Sequence, residues 1–250
     1  MWGIIPAAGA GSRIQPLAFS KELLPVGSRF EGGTEKPRAV SEYLIDRMLV
    51  GGVTKICFVI SPGKSDILGY YGADIKGAHV CYTVQPRALG LCDAIFRALP
   101  MVSPDEDVAI GLPDTIWFPE DGFRSIGKGD FTFLLFQVDR PESFDAVVTN
   151  KNGRVLEVQV KRTDASTGWV WGAFRMRCRV LKELYGLWLS RGKKDEYIGT
   201  LVNEYIRGGG AVTGSRAGTA YVDVGTVHGY REAIRLLATM PGHIREKDKW

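Results

Sequence analysis

Short apolar segments alternate with helix-patterned segments along the first 140 residues of the chain. The runs Lys55–Ile60 and Asp107–Gly111 are apolar enough for strands buried on both faces, and Val40–Val50 has apolar residues at helical spacing. Strands that alternate with helices favour a parallel sheet covered by helices. The sequence therefore predicts an α/β, Rossmann-like fold whose mixed, mostly parallel sheet is flanked by helices.

The pattern changes after about residue 140, where strands follow one another more closely. Strands are predicted at 146–149, 155–160, 168–176, 211–215 and 219–222, with helices at 179–190, 195–207 and 227–239. The last ten residues, 241–250, are predicted to be a charged tail. These segments indicate a β-rich second half within a single domain.

The strand predicted at 2–7 runs into a glycine-rich turn, whose backbone N–H groups can hold phosphates. The turn is formed by Ala8, Gly9, Ala10, Gly11 and Ser12. A dinucleotide-binding fingerprint would need glycine where Ile14 stands, and a P-loop would need Gly-Lys-Ser/Thr, which does not follow. Arg13 and Lys21 add two cations. The alternatives are a polyphosphate site and a structural turn with surface cations.

Two aspartates stand at positions suited to metal binding. Asp114 follows a predicted strand, at the sheet edge where ligands bind in open α/β folds, and Asp223 lies in a strand-to-helix turn. Two carboxylates can hold Mg²⁺ together with phosphate oxygens. The alternatives are a turn aspartate at position 114 and a helix N-cap at position 223.

Composition excludes several other classes of protein. The net charge of +4 is too small to indicate a nucleic-acid-binding protein, and no aromatic platform for bases is present. The four cysteines show neither zinc-ligand spacing nor a disulfide framework. No apolar run reaches the roughly 18 residues of a membrane span. We therefore expect a cytoplasmic protein without nucleic-acid or membrane partners.

The segment IIPAAGAGSRIQPLAFSKELLPV, residues 4–26, resembles the GxGxRLxPxT…SKxLLP signature of the sugar-phosphate nucleotidyltransferases, in the form typical of glucose-1-phosphate thymidylyltransferases. The resemblance covers residues 1–240 through an ordered set of further motifs: Glu35-Lys36-Pro37, Gly51-Gly52-Val53, Val84-Gln85-Pro86, Gly90-Leu91, Leu112-Pro113-Asp114, Asn152-Gly153, Lys161 and Val222-Asp223-Val224-Gly225-Thr226.

This resemblance implies an enzyme that transfers a nucleoside monophosphate from a nucleoside triphosphate (NTP), with dTTP favoured and UTP next, to a sugar 1-phosphate, releasing pyrophosphate. It implies catalytic roles for Arg13, Lys21 and Asp114, and Mg²⁺ bound by Asp114 and Asp223. Residues 1–140 would form the nucleotide-binding half and 141–240 a β-rich, sugar-phosphate-binding half. Members of the family often form dimers or tetramers, so a homo-oligomer is also expected.

The nucleotide is expected on Arg13 and the glycine-rich turn, with its base at Gln85 and Gly90. An amide both donates and accepts, which suits a pyrimidine edge, and Gly90 would let the base lie against the backbone. The alternative for Gln85 is a surface-loop glutamine.

The resemblance assigns the sugar phosphate to the second half of the chain, at Lys161, Asp145, Trp171, Gly172 and Lys194. The alternative for Lys161 is a solvated strand lysine. This sequence departs from the family pattern where Pro113 replaces glycine, Phe144-Asp145 replaces Tyr-Gly, Val160 replaces glutamate and Lys194 replaces arginine. The reaction class is thus better specified than the sugar.

Two other functions are compatible with a fold of this kind. One is a non-catalytic binding or sensor module of the same fold, which the presence of both cations and both aspartates disfavours. The other is a Rossmann oxidoreductase, which Ile14 in the third glycine position disfavours.

Overall fold

The computed structural model describes residues 1–127 and 129–240, so the predicted tail at 241–250 lies outside the described residues. The strands are β1 (Trp2–Pro6), β2 (Pro25–Glu31), β3 (Thr34–Ala39), β4 (Lys55–Ile60), β5 (Asp74–Ile75), β6 (Ala78–Val84), β7 (Asp107–Gly111), β8 (Thr115–Phe118), β9 (Phe131–Gln137), β10 (Asp145–Thr149), β11 (Val155–Val160), β12 (Trp169–Arg177), β13 (Thr213–Gly218) and β14 (Ala220–Asp223). The helices are α1 (Val40–Val50), α2 (Ser65–Tyr71), α3 (Gly90–Arg97), α4 (Gly122–Ser125), α5 (Cys178–Ser190), α6 (Ile198–Arg207) and α7 (Val227–Thr239).

A ten-stranded sheet runs through the described part of the chain. Its main order is β11-β10-β12-β7-β1-β4-β6-β5, with β9 beside β12 and β13 beside β9. The central strands β7, β1, β4 and β6 are parallel, whereas β12 runs antiparallel to β7. The predicted mixed α/β sheet with a parallel centre is confirmed.

The two faces of β4 bury different residues, because side chains alternate along a strand. Ile56 and Phe58 pack into the same hydrophobic core as Leu44 of α1. Cys57 and Val59 pack into a second core, which also contains Ile95 of α3. Helices therefore cover both faces of the sheet, as the continuous apolar runs predict.

The strands of the second half extend this same sheet. Five residue pairs join β12 to β7, from Ala173↔Gly111 to Arg177↔Asp107. The predicted bounds of α1, β4, β7, β11 and α7 coincide with the observed ones. The sequence analysis did not identify the β2–β3 hairpin or β8. None of the described helices has the length and apolar character needed to cross a membrane.

A small sheet formed by β8 and β14 places residues 220–224 beside Asp114, which follows β7. The pairing is antiparallel and brings Asp223 opposite Thr115. The next residue, Val224, donates its backbone N–H to the carbonyl oxygen of Asp114 at 2.8 Å. This pairing therefore places Asp223 beside Asp114, although 108 residues separate them in the sequence.

Candidate active site

Asp114 and Asp223 face a common point beside Gly225. A Cβ placed on Gly225 would lie 2.8 Å from Asp223 Oδ1 and 3.1 Å from Asp114 Oδ2. Asp114 is buried, in the turn after β7. The N-cap of α7 is Thr226, whose hydroxyl accepts from the backbone N–H of Gly229, so Asp223 does not have that role.

Each of the two aspartates is paired with a cation from the N-terminal segment. Arg13 Nη2 lies 3.1 Å from Asp223 Oδ2, and Lys21 forms an ion pair with Asp114. Burial lowers the pKa of Lys21, but the negative charges of Asp114 and Glu22 and the hydrogen bond to Asp114 together outweigh this effect, so the net pKa is raised. Burial conversely raises the pKa of Asp114, and Lys21 brings it below its usual value. Both groups are thus held charged.

The glycine-rich turn lies against the side chain of Lys21. Gly11 has φ +69°, and a Cβ there would lie 2.8 Å from Lys21 Cδ. Glycine is required on both counts, because it tolerates positive φ and leaves room for the lysine chain. Ala8 is buried at the start of the turn, while Gly9, Ala10, Ser12 and Arg13 are exposed to solvent.

A buried ion pair that the sequence analysis did not identify lies beneath this turn. Lys64 Nζ lies 2.7 Å and 2.8 Å from the two carboxylate oxygens of Glu22, and it also donates to the carbonyl oxygen of Ala7. Burial raises the pKa of Glu22 against the opposing effect of Lys64. No local signal connects these residues, which are 42 positions apart.

Gln85 is buried rather than being a surface-loop glutamine. Its Nε2 donates to the carbonyl oxygen of Gly90 at 3.0 Å and to Asp93 Oδ2 at 2.8 Å. Both partners are acceptors, so the amide nitrogen must face them. The prediction that the amide offers a ligand both a donor and an acceptor is corrected to an acceptor, Oε1.

Gly90 has its own structural reason to be glycine. Its φ is +88°, and a Cβ there would lie 2.6 Å from Glu196 Cα. The carbonyl oxygen of Glu196 accepts from the backbone N–H of Leu91 at 2.8 Å, at the first turn of α3. In this structure Gly90 closely approaches Glu196, and its contact with a base stays a prediction.

A cavity of about 240 Å³ opens beside the two aspartates. Its lining residues are Arg13, Leu91, Leu112, Asp114, Thr115, Ser143, Phe144, Asp145, Lys161, Trp171, Tyr197, Tyr221 and Asp223. The structure thus brings Lys161, Asp145 and Trp171 together with the proposed metal pair. Gly172 and Lys194 are not among the lining residues. A Cβ on Gly172 would clash with the Tyr221 ring, and Lys194 lies exposed between α5 and α6.

Asp145 and Lys161 lie on neighbouring strand ends in this cavity. Lys161 follows β11, rather than lying within it, and adopts φ +45°. Its Nζ lies 4.9 Å from the centroid of the Tyr197 ring. Asp145 is buried, and Oδ2 accepts from Trp171 Nε1 at 3.3 Å, whereas Oδ1 has no hydrogen-bond partner. Burial raises the pKa of Asp145, opposed by Trp171 and Lys161.

Tyr221 is a central residue of the cavity that the sequence analysis did not single out. Burial raises its pKa well above the usual value, and the carboxylates of Asp223, Asp114 and Asp145 add to the shift. The hydroxyl therefore stays protonated in the cavity that the three carboxylates also line. Its position in a short strand, β14, gives no sequence signal of this role.

The donor set fits Mg²⁺ rather than a protein-only metal cage. Within the described residues, no group of three or more His, Cys, Asp or Glu side chains comes together to hold a metal ion. Asp114 and Asp223 nevertheless converge on one point. Magnesium commonly takes one or two carboxylates and completes its coordination with water and substrate phosphate oxygens.

Comparison with known proteins gives consistent matches over nearly the whole chain. A family model described as "Nucleotidyl transferase" matches residues 2–239. A glucose-1-phosphate thymidylyltransferase of Neisseria meningitidis is 28% identical over 96% of this chain and 83% of its own length. A UTP–glucose-1-phosphate uridylyltransferase of Haloferax volcanii is 25% identical over 90% of this chain and 91% of its own.

Solved structures agree on the fold. A Bacillus anthracis protein, described as a glucose-1-phosphate thymidylyltransferase in complex with a sucrose, superposes with a TM-score of 0.79. It is 24% identical to this chain, and the match covers 95% of each chain. This likeness shows a shared fold.

Proposed function

Because the chain belongs to the nucleotidyl transferase family, we propose that it transfers the nucleoside monophosphate of dTTP, and less readily of UTP, to a sugar 1-phosphate. The carrying observation is the double ion pair at the cavity: Arg13 with Asp223 and Lys21 with Asp114. Two cations for phosphates and two carboxylates for a metal thus meet at one sheet edge, where open α/β folds bind their ligands.

In this reaction a phosphate oxygen of the sugar 1-phosphate attacks the α-phosphorus of the NTP. The new P–O bond forms as the bond between the α-phosphorus and the bridging oxygen to the β-phosphate breaks, and pyrophosphate leaves with that electron pair. Such a reaction requires positioning and charge stabilisation rather than covalent work by the protein. The residues present at the cavity supply both.

The cations divide this work according to their chemistry. Arg13 is a forked donor that suits the β- and γ-phosphates, which become the leaving group. Lys21, held charged beside Asp114, suits the α-phosphate. Lys161 lines the same cavity from the end of β11 and suits the phosphate of the sugar.

Asp114 and Asp223 would hold Mg²⁺. When bound, the ion supplies positive charge that neutralises the phosphates brought together in the cavity. Lys21 and Arg13 form ion pairs with these same two carboxylates.

The preference for thymine and uracil rests on Gln85. Its Nε2 is engaged by Gly90 and Asp93, so Oε1 remains to accept from a base. Thymine and uracil present an N3–H donor, whereas cytosine presents an acceptor at the same position. We therefore expect dTTP and UTP to be used and CTP to be rejected.

We place the nucleotide on residues 1–140 and the sugar phosphate on 141–240, within one domain and around one shared cavity. The homo-oligomer expected from the resemblance stays a prediction.

The test is pyrophosphate release, measured with a panel of NTPs against a panel of sugar 1-phosphates in the presence of Mg²⁺. Release that requires a sugar 1-phosphate and is fastest with dTTP supports the proposal. A non-catalytic sensor of the same fold would instead bind nucleotide or activated sugar, measured calorimetrically, with no release under any pairing. Faster release with CTP than with UTP would contradict the role of Gln85.

A further inference from the structure

We propose that Asp145 recognises a protonated amine on the sugar, so that the preferred acceptor is the 1-phosphate of an amino sugar. This inference rests on the proposed function and specifies its substrate class. By the resemblance described above, Asp145 stands where the family pattern has glycine.

Within the described residues, Asp145 has no ion-pair partner. Three carboxylates line the cavity, and two of them are paired: Asp114 with Lys21 and Asp223 with Arg13. Within the described residues no lysine or arginine lies within 4.0 Å of the Asp145 carboxylate. The cavity therefore contains one carboxylate whose charge the protein does not neutralise by direct contact.

The Asp145 carboxylate is buried and only partly hydrogen-bonded. Asp145 is 8% exposed, and its Oδ1 has no hydrogen-bond partner. The other oxygen accepts one long bond of 3.3 Å from Trp171 Nε1. A buried polar atom without a partner is destabilising, and a charged one more so. A cationic ligand group in the cavity that Asp145 lines would offset part of this cost.

Lys161 does not form an ion pair with Asp145. Its Nζ lies over the Tyr197 ring, 4.9 Å from the centroid, rather than against Asp145. In the proposed reaction Lys161 binds the phosphate of the sugar, which is a stronger competitor for its charge. The ammonium group of Lys161 therefore affects Asp145 only from a distance, through its charge, and an ammonium group on the sugar would supply a direct contact.

The surroundings of Asp145 favour an amine over a hydroxyl group. Phe144, Trp171 and Tyr221 present ring surfaces to the same cavity and limit water around the carboxylate. A hydrogen bond between ionised groups is roughly twice as strong as a neutral one, and a low local dielectric strengthens it further. A hydroxyl group would supply the donor, whereas an ammonium group supplies the donor and the compensating charge.

The test compares glucose 1-phosphate with analogues in which one ring hydroxyl is replaced by an amine. Wild-type protein is expected to prefer at least one amino analogue by about tenfold in kcat/KM, the effect of one good polar contact. In Asp145→Asn, which keeps the shape and loses the charge, this preference should fall to near unity. The matched control is Asp164→Asn, which neutralises an exposed carboxylate paired with Arg162 and should leave every ratio unchanged.

A binding measurement separates failure of this inference from failure of the proposed function. Calorimetric titration of the same sugar 1-phosphates without NTP should show the amine preference in wild type and its loss in Asp145→Asn. If turnover occurs but wild type and Asp145→Asn have the same ratios, the inference is overturned while the proposed function stands. If no compound is turned over, the proposed function fails, and an unchanged binding ratio overturns the inference as well.

Discussion

Lys64 Nζ lies 2.7 Å from the carbonyl oxygen of Ala7, where β1 ends and the glycine-rich turn begins. The same ammonium group donates to both carboxylate oxygens of Glu22, which precedes Leu23 in the short helical turn that also contains Lys21. The buried ion pair between Lys64 and Glu22 thus contacts the backbone of the glycine-rich turn. Glu22 is the sequence neighbour of Lys21, which we place at the α-phosphate.

Replacing Lys64 by methionine should destabilise the protein strongly. The change leaves Glu22, which is 1% exposed, without its counter-ion. Breaking a buried pair by removing one partner costs about 3–5 kcal/mol. Urea unfolding measures this loss. The double variant Lys64→Met/Glu22→Leu should be more stable than Lys64→Met, and a double variant that is less stable than the single one would contradict the pairing.

Asp223→Asn and Asp114→Asn should each lower turnover by on the order of 10²–10³, the usual cost of losing one catalytic electrostatic group. Asp223→Asn is the cleaner variant, because its side chain is 21% exposed and its loss leaves only the exposed Arg13 unpaired. Pyrophosphate release at saturating Mg²⁺ gives the rate, and urea unfolding checks the fold. Near-normal rates in both variants would remove the metal assignment.

Arg13→Ala should lower kcat with little effect on the free energy of unfolding. The Arg13 side chain is 62% exposed, so its surface ion pair with Asp223 contributes little to stability. Arg13→Lys should restore activity only in part, since a point charge does not replace a forked donor. Steady-state kinetics of the three proteins test this, and full activity of Arg13→Lys would argue against two-point contact with the leaving phosphates.

Gly225→Ala should impair activity because of crowding rather than loss of charge. The new Cβ would lie 2.8 Å from Asp223 Oδ1, so that carboxylate must move. Misplacement of a reacting group by about 1 Å can cost on the order of 10²-fold in rate. The matched control is Gly186→Ala in α5, where a Cβ meets no atom within 4 Å. The control should retain full activity, and equal activity in both variants would show that the carboxylate position is unimportant.

Protonation of Glu106 at low pH should lower the free energy of unfolding. It accepts from Lys55 Nζ at 2.8 Å and from Trp2 Nε1 at 2.8 Å, and chiefly the bond from Lys55 lowers its pKa to about 2 from the usual 4.5. A carboxyl group with a lower pKa in the folded state stabilises the fold above pH 4.5, and this stabilisation is lost as the pH falls toward 2. Urea unfolding at several pH values should therefore show a smaller acid-dependent loss in Glu106→Gln than in wild type.

The sequence predicts the buried elements of the fold better than the exposed ones. The bounds of β4 and β7 follow from continuous apolar runs, which are typical of strands buried on both faces of a parallel sheet. The β2–β3 hairpin was missed because β3 contains charged residues and Pro37, which demote a strand prediction, and most of it is exposed. Its register, from Pro25↔Ala39 to Glu31↔Thr34, depends on pairing that no local pattern reports.

The resemblance singled out the charged residues that line the cavity, together with Trp171, but not Tyr221 or the buried Lys64–Glu22 pair. The resemblance singled out Arg13, Lys21, Asp114 and Asp223, and the structure brings these four together. Tyr221 was missed because only the pairing of β14 with β8 brings it to the cavity that the three carboxylates line. The engagement of Gln85 Nε2 likewise depends on how the chain turns before α3.

The position of β12 constrains how such a protein can be re-engineered. This strand comes from the second half of the chain, yet it lies between β9 on one side and β7 and β10 on the other. Cutting the chain near residue 140 would separate β7 from β12 and leave the backbone groups on that side of β7 without hydrogen-bond partners. Residues 141–240 therefore cannot be exchanged as a unit, because moving them onto another member of the family would disrupt the sheet. New acceptor preferences are more readily obtained by exchanging single side chains in the cavity wall, where the backbone stays as it is.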